Sequence, residues 1–172
     1  MRRASVVWAV LFAVAIAVFV GGLLLPEEYE ISRRLVLSRT PEAAWQALTD
    51  TASLRRWRKD LMQLQPLSTD GHLPIWREIA DDGSGTDVRT LDATPPVHLV
   101  LERVGERRRG TVEWEYTIAR APEGVSVALV ERGRITNPIQ RFLVQFLAGT
   151  RGRLDRHLAA LAAWFDEPAR ID

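Results

Sequence analysis

Twenty-two consecutive residues, Ala4 to Leu25 (ASVVWAVLFAVAIAVFVGGLLL), carry no charge. As a helix this run is about 33 Å long, close to the hydrocarbon thickness of a bilayer. A helix satisfies its own backbone polar groups in lipid, and Trp8 near one end suits the headgroup boundary. The pattern predicts one transmembrane anchor over residues 1–26. The competing reading is a cleaved secretory signal, whose apolar core runs about 7 to 15 residues. The small-x-small triplets Ala13-Val14-Ala15 and Ala15-Ile16-Ala17 lie inside the run, where cleavage would leave an apolar stub. Arg2 and Arg3 precede the helix, and Glu27, Glu28 and Glu30 follow it ahead of Arg33, Arg34 and Arg39. That order favours an inside N-terminus, which puts the following domain, residues 27–172, outside the cytoplasm.

Beyond Pro26 the periodicity changes. Tyr29 to Ser38 alternates, with Ile31, Leu35 and Leu37 on one parity and Arg34 on the other, as in a half-buried strand. Thr40-Pro41-Glu42 then supplies an N-cap, a first-turn proline and a first-turn acid, and Ala44, Trp45 and Leu48 follow at helical spacing. A second short helix carries Leu54 and Trp57. From Leu61 to about Thr136 the chain reads as successive strands punctuated by turn signals: Ser68 to Gly71, Asp81 to Gly85, Pro95-Pro96, Gly105 to Gly110 and Pro122 to Gly124. This is the pattern of an antiparallel meander. In Thr111–Ala119 the residues Val112, Trp114, Tyr116 and Ile118 share one face, and Thr111, Glu113, Glu115 and Thr117 the other. In the next strand Val125, Val127 and Leu129 continue the apolar parity, which then delivers Glu131 and Gly133.

Asn137 and Pro138 open the last element as N-cap and first helical residue. Ile139, Phe142, Leu143, Phe146, Leu154, Leu158, Leu161 and Phe165 recur near helical spacing, which predicts one long amphipathic terminal helix. Gly149 and Gly152 interrupt it, each costing about 1 kcal/mol relative to alanine.

Composition narrows the function. The chain has 172 residues, 47% of them hydrophobic, enough for one ordinary domain and too apolar for disorder. There are 23 basic and 22 acidic side chains, the former 22 arginines and Lys59 alone, so bulk positive charge gives no footprint for nucleic acid. Without cysteine there is no thiolate ligand, thiol nucleophile or disulfide.

The order strand, two short helices, meander, terminal helix resembles the START-like superfamily, or SRPBCC, which includes polyketide cyclases and dehydrases. The resemblance covers about residues 29 to 165. It rests on RTPEAAWQALTDTASLRRW (Arg39 to Trp57), GTVEWEYTI (Gly110 to Ile118) and VERGRITNPIQRFLVQF (Val130 to Phe146). The Leu25-Pro26 step after a hydrophobic helix is similar to a subgroup with an N-terminal transmembrane anchor. The resemblance implies an α+β helix-grip fold: a curved antiparallel β-sheet wrapped around a long C-terminal α-helix, preceded by one transmembrane helix. It also implies a cavity between sheet and helix for an apolar molecule. Burying about 300 Å² of such a ligand gives about 7 kcal/mol before the costs of association.

The ligand-binding residues this suggests are Trp76, Leu99, Leu101, Trp114, Tyr116, Leu129, Glu131, Phe142 and Phe146. Each apolar one would also serve as plain core. An inward carboxylate needs a partner or a proton, so Glu131 either meets a ligand or pairs with an arginine such as Arg141. His72, His98 and His157 show no ligand spacing, so no metal and no cofactor is implied. No Gly-x-Ser-x-Gly elbow is present, and Gly83-Ser84-Gly85 reads as a hairpin turn. The clusters Arg55-Arg56-Trp57-Arg58-Lys59 and Arg107-Arg108-Arg109 read as solvated ends or, in a tethered domain, as contacts to anionic lipid.

Three functional readings stay open. One is a membrane-anchored domain that binds or transfers a hydrophobic small molecule such as a lipid, quinone or polyketide. The second is a polyketide cyclase or dehydrase in which Glu131 or Tyr116 moves protons. The third is a membrane-tethered adaptor for a protein partner.

Overall fold

A computed structural model describes residues 2–70, 73–105, 111–146 and 151–172. Of the positions singled out above, His72, Arg107 to Arg109 and Gly149 lie outside the described residues. The chain divides into two compact units, Met1–Tyr29 with Arg134–Thr150, and Glu30–Gly133 with Arg151–Asp172.

The larger unit is α+β and is built on one open sheet of eight strands, in the order β2-β3-β4-β5-β6-β7-β1-β8. The meander is present as six consecutive antiparallel strands: β2 (Leu61–Asp70), β3 (Leu73–Ala80), β4 (Gly85–Thr94), β5 (His98–Gly105), β6 (Thr111–Ala121) and β7 (Gly124–Arg134). Strand β1 (Glu28–Leu37) lies beside β7, and β8 (Arg170–Ile171) pairs with β1 through Leu35 and Ile171. Pro66 stands in the edge strand β2, where a missing ladder donor is tolerated, and the register shifts beside it. At the β6–β7 turn Gly124 has φ +136°, and a Cβ there would lie 2.3 Å from the Leu37 carbonyl oxygen, so only glycine fits.

Local sequence explains the two short helices between β1 and β2. Thr40 Oγ1 accepts the Ala43 amide at the start of α2 (Pro41–Thr49), with Pro41 in the first turn. Asp50 ends α2 and caps α3 (Thr51–Trp57), accepting the amides of Ala52 and Ser53. Trp57 Nε1 donates to the Ala47 carbonyl at 2.9 Å, which ties the helices together.

The predicted inner parity is the core. Leu35 and Leu37 of β1, Leu99 and Leu101 of β5, Trp114, Tyr116 and Ile118 of β6, and Val125, Val127 and Leu129 of β7 are buried together. Leu154, Leu158 and Leu161 of α5 (Arg151–Trp164) complete that cluster and are wholly inaccessible. A sheet with one apolar face requires such a cover.

One expectation is met only in part. A single long terminal helix is not shown: the described residues give α4 (Pro138–Phe146) and α5, and these fall in different units.

The smaller unit contains α1 (Arg2–Leu24) and α4 packed against each other. Its segment Val6–Leu24 is long and apolar enough to cross a bilayer, a test that a signal sequence also passes. Two glycines make the packing possible. A Cβ at Gly22 would lie 1.9 Å from the Pro138 carbonyl oxygen, and one at Gly21 would lie 3.1 Å from the Phe142 ring. Asn137 Oδ1 accepts the Gln140 amide and caps α4 as expected. Arg141 is buried and donates to the Leu25 carbonyl at 2.7 Å and the Thr136 carbonyl at 3.2 Å.

Candidate functional site

A cavity of about 1140 Å³ opens in the larger unit, walled by α3 and the residues after it, the inner face of the sheet and α5. Its apolar surface comes from Trp57, Leu61, Val112, Trp114, Ala160 and Trp164. Its polar surface is more extensive than the sequence suggested, and two buried carboxylates organise it.

The first carboxylate is Glu131 on β7. The register places it directly opposite Trp114 of β6, whose Nε1 donates to Glu131 Oε2 at 2.7 Å. Arg153, from the first turn of α5, donates to the other oxygen and forms a salt bridge. Glu131 is wholly buried and Arg153 is one-third exposed, so the pair runs from the sheet's inner face toward the opening. This corrects the expected partner. Arg141 instead caps backbone carbonyls near the end of α1 and stands 3.7 Å from Glu27. Helical period alone does not say which turn of which helix crosses a given strand.

The second carboxylate is Glu78 on β3. Arg103 of β5 donates to both its oxygens, at 2.6 and 3.2 Å, and Arg58 reaches it at 3.4 Å. Burial alone would raise this carboxyl, but Arg103 and Arg58 hold it below its ordinary value. Arg58 also grips Asp60 through two bonds of 2.8 and 2.7 Å. The cluster Arg55 to Lys59 is therefore not simply a solvated end. Arg58 is buried in this network, and Arg56 and Lys59 line the cavity. The Arg103 guanidinium also lies 4.3 Å from the centroid of the Trp114 ring, a cation–π contact that joins the two carboxylate clusters.

Between them stands His157 of α5. Its Nε2 and the Tyr116 hydroxyl form a hydrogen bond of 2.9 Å, and Trp114 and Trp57 meet its ring edge-on at 4.7 and 5.0 Å. Burial, with the guanidiniums of Arg58, Arg103 and Arg153 adding to it, holds this imidazole well below its usual value. Burial likewise pushes the Tyr116 phenol up. At neutral pH the pair is a neutral imidazole bonded to a neutral phenol, and the imidazole borders the cavity.

The residues anticipated as ligand-binding scatter. Trp114 and Glu131 meet at the cavity. Leu99, Leu101, Tyr116 and Leu129 face the same way but pack in the core cluster rather than line the space. Trp76 is buried beside a smaller cavity of about 550 Å³, with Leu64 and Pro66. Phe142 and Phe146 belong to the unit that holds α1, with ring centroids 4.7 Å apart.

Arg58, Glu78, Arg103, Arg153 and His157 were not anticipated. Glu78 shares a parity with buried Trp76, the same signal that singled out Glu131, and Arg103 continues the parity of Leu99 and Leu101. His157 falls in register with Leu154, Leu158 and Leu161. Among the described residues no cluster of three histidine or acidic side chains could hold a metal. His98 sits on the other face of the sheet's β5, bonded to Asp92 and Glu115 at 2.9 and 3.0 Å, and both bonds raise its value, that to Glu115 the more.

Comparison of the sequence with protein-family models and with curated proteins gives no match. Solved structures share the architecture. Protein MLL2253 from Mesorhizobium loti superposes with a TM-score of 0.64 at 18% identity, over 80% of this chain and 97% of that one. The di-domain aromatase/cyclase StfQ of the steffimycin biosynthetic pathway gives 0.61 at 11% identity, over 78% of this chain and 50% of its own. DynU16, a protein of the dynemicin biosynthetic locus, gives 0.60 at 18% identity, over 84% and 49%. This chain thus spans about half the length of the last two. At these identities the likeness establishes the fold, which the chain shares with polyketide aromatase/cyclase proteins and which agrees with the SRPBCC resemblance.

Proposed function

We propose that this protein is a membrane-anchored START-like domain that binds or transfers a hydrophobic small molecule carrying a polar end, of the lipid, quinone or polyketide type. The cavity of about 1140 Å³ carries this reading, because it combines tryptophan walls with a wholly buried carboxylate already held by an arginine and an indole. An apolar body gains from the walls, and a hydroxyl or carbonyl finds fixed partners at Glu131 and Arg153. The sheet and α5 form the helix-grip, with α5 as the gripped helix. Residues 1–26 are the single-pass anchor, and the domain lies on the extracytoplasmic side, as Arg2 and Arg3 favour.

Native mass spectrometry of the full chain, extracted from its own membrane, tests the binding function. The expected result is a co-purifying apolar adduct that Ala160→Phe, which places a ring in the cavity, reduces at least tenfold. A chain that carries no adduct and takes up no lipid or quinone from mixed micelles would remove the proposal.

A second reading, proton transfer of the polyketide cyclase or dehydrase kind, is supported by the His157–Tyr116 pair. In the tautomer whose Nε2–H donates to the Tyr116 oxygen, Nδ1 of the neutral imidazole is the atom that can accept a proton from an enolisable ketone, and the phenol holds the ring in place. Base-catalysed deuterium exchange at the acidic carbons of a β-diketone probe measures it. His157→Gln should abolish any rate above solvent.

A further inference from the structure

The smaller unit presents an apolar surface that the cavity does not use. In α4, Ile139, Leu143 and Phe146 are 44%, 39% and 62% exposed. At 100° per residue they fall within an arc of about 60° on one side of the helix. Gln140 is exposed about a quarter turn from the stripe on the flank opposite Pro138 and Phe142, Gln145 is exposed beyond Pro138, and Arg141 is turned inward behind the stripe. Pro138 and Phe142, which abut Gly22 and Gly21 of α1, lie about a quarter turn from the exposed stripe. The helix therefore has α1 at its flank, an uncovered apolar face at right angles to that contact, and polar groups behind.

The level of the contact on α1 says what covers this face. Gly21 and Gly22 precede Leu25, the last residue of the uncharged run, by four and three positions. That is about 4.5–6 Å along the helix axis. An amphipathic helix lying in a membrane surface buries its apolar side about 5–10 Å into the headgroup and acyl boundary. The point at which α4 is packed on α1 is thus the depth at which such a helix sits. Arg141 adds a polar anchor at the same boundary, since it donates to the Leu25 carbonyl where α1 ends.

We infer that α4 is an interfacial helix, its Ile139, Leu143 and Phe146 seated in the lipid of the same bilayer that α1 crosses. The inference rests on the anchor reading of residues 1–26. It assigns Phe146 to lipid rather than to the ligand cavity.

The chain has no cysteine, so single substitutions give unique labelling sites. Leu143→Cys, Phe146→Cys, Gln140→Cys and Val14→Cys in the full chain are each labelled with a nitrobenzoxadiazole fluorophore and reconstituted in phosphatidylcholine vesicles. The vesicles contain lipid spin-labelled either high (5-doxyl) or deep (12-doxyl) in the acyl chain. The expected result is at least twofold stronger quenching at 143 and 146 by the high label than by aqueous iodide, the reverse at 140, and preferential quenching at 14 by the deep label. If 143 and 146 are quenched by iodide like 140, or shielded from both quenchers, while 14 answers to the deep label, the role of α4 is overturned and the anchor stands. If 14 does not answer to the deep label, the anchor reading fails and the α4 proposal fails with it.

Discussion

The helices α4 and α5 carry the same apolar period in the sequence, yet their stripes end in different surroundings. In α5, Leu154, Leu158 and Leu161 are wholly buried with the inner face of the sheet. In α4, Phe142 meets α1, while Ile139, Leu143 and Phe146 are exposed. Their polar groups differ in the same sense. Arg153 of α5 meets a buried carboxylate on a strand, and Arg141 of α4 meets backbone carbonyls, that of Leu25 at the end of α1 and that of Thr136. A stripe states that a helix needs an apolar partner. Which partner it finds depends on contacts far away in sequence.

The largest test of this contrast is a pair of truncations. Leu158→Ala removes a fully buried side chain and should cost about 2–5 kcal/mol, whereas Leu143→Ala on α4 should stay within about 0.5 kcal/mol. Chemical denaturation of the full chain in detergent micelles, followed by tryptophan fluorescence, measures both. Equal effects would mean that the two faces are covered alike.

Next in size is the polar tether of α5. Glu131→Gln keeps an acceptor for Trp114 Nε1 but removes the negative charge facing Arg153. Breaking a buried pair from one side costs about 3–5 kcal/mol, and the one-third exposure of Arg153 lets water recover part, so about 2 kcal/mol is expected. The adduct expected in native mass spectrometry sharpens the result. Loss of the adduct beyond the loss of folded protein makes Glu131 a ligand contact, and full retention makes it purely structural.

What the sequence disclosed follows the same division between local and distant causes. The six-strand meander was legible because alternation and turn residues are local signals, and the start of α2 was legible because Thr40, Pro41 and Glu42 act within one turn. Strand β8 was not, because two residues acquire strand geometry only by pairing with Leu35 and Val36. Within the cavity, Trp114 and Glu131 were readable from parity. Their connection to Arg153 rather than Arg141, and the network of Arg58, Glu78, Arg103 and His157, depend on how α3 and α5 are set against the sheet. Parity did mark Glu78 beside Trp76, so that member was within reach. The stripe of α4 was visible, and Phe142 and Phe146 on it were expected at the cavity, since nothing local distinguishes an exposed phenylalanine from a core one.

The pH dependence of stability separates the buried histidine of α5 from the surface one. His157 is held below its unfolded value, so the unfolded chain takes up its proton first as pH falls. Stability should therefore be full above about pH 6.5 and fall below it, by up to about 1.4 kcal/mol per pH unit for this one group. His157→Gln should flatten the slope between pH 5 and 6.5, above the range in which most carboxylates titrate. His98 has the opposite sign. Its value is raised by Glu115 and Asp92, so its contribution is complete below pH 6.5 and is lost as pH rises through the elevated value. His98→Gln should thus lower stability on the acid side of that window and remove the decline that begins above pH 6.5, and weakly, since the group is one-third exposed.

The smallest effect tests how far the helix that holds Gly152 extends. Gly152 is the second residue of α5, and a Cβ there would meet Arg156 Nη1 at 3.6 Å, an ordinary contact. In a helix interior, Gly→Ala gains about 1 kcal/mol, because glycine loses the most backbone freedom on becoming helical. At a helix's first turn the same change gains less, about 0.3 kcal/mol, since such a residue is only partly constrained and its amide lacks an intrahelical partner. Denaturation of Gly152→Ala therefore distinguishes the two cases by size alone. A gain near 1 kcal/mol would show that the α-helix runs through residue 152 from the N-terminal side, joining α4 and α5 into one rod and dissolving the contrast between them.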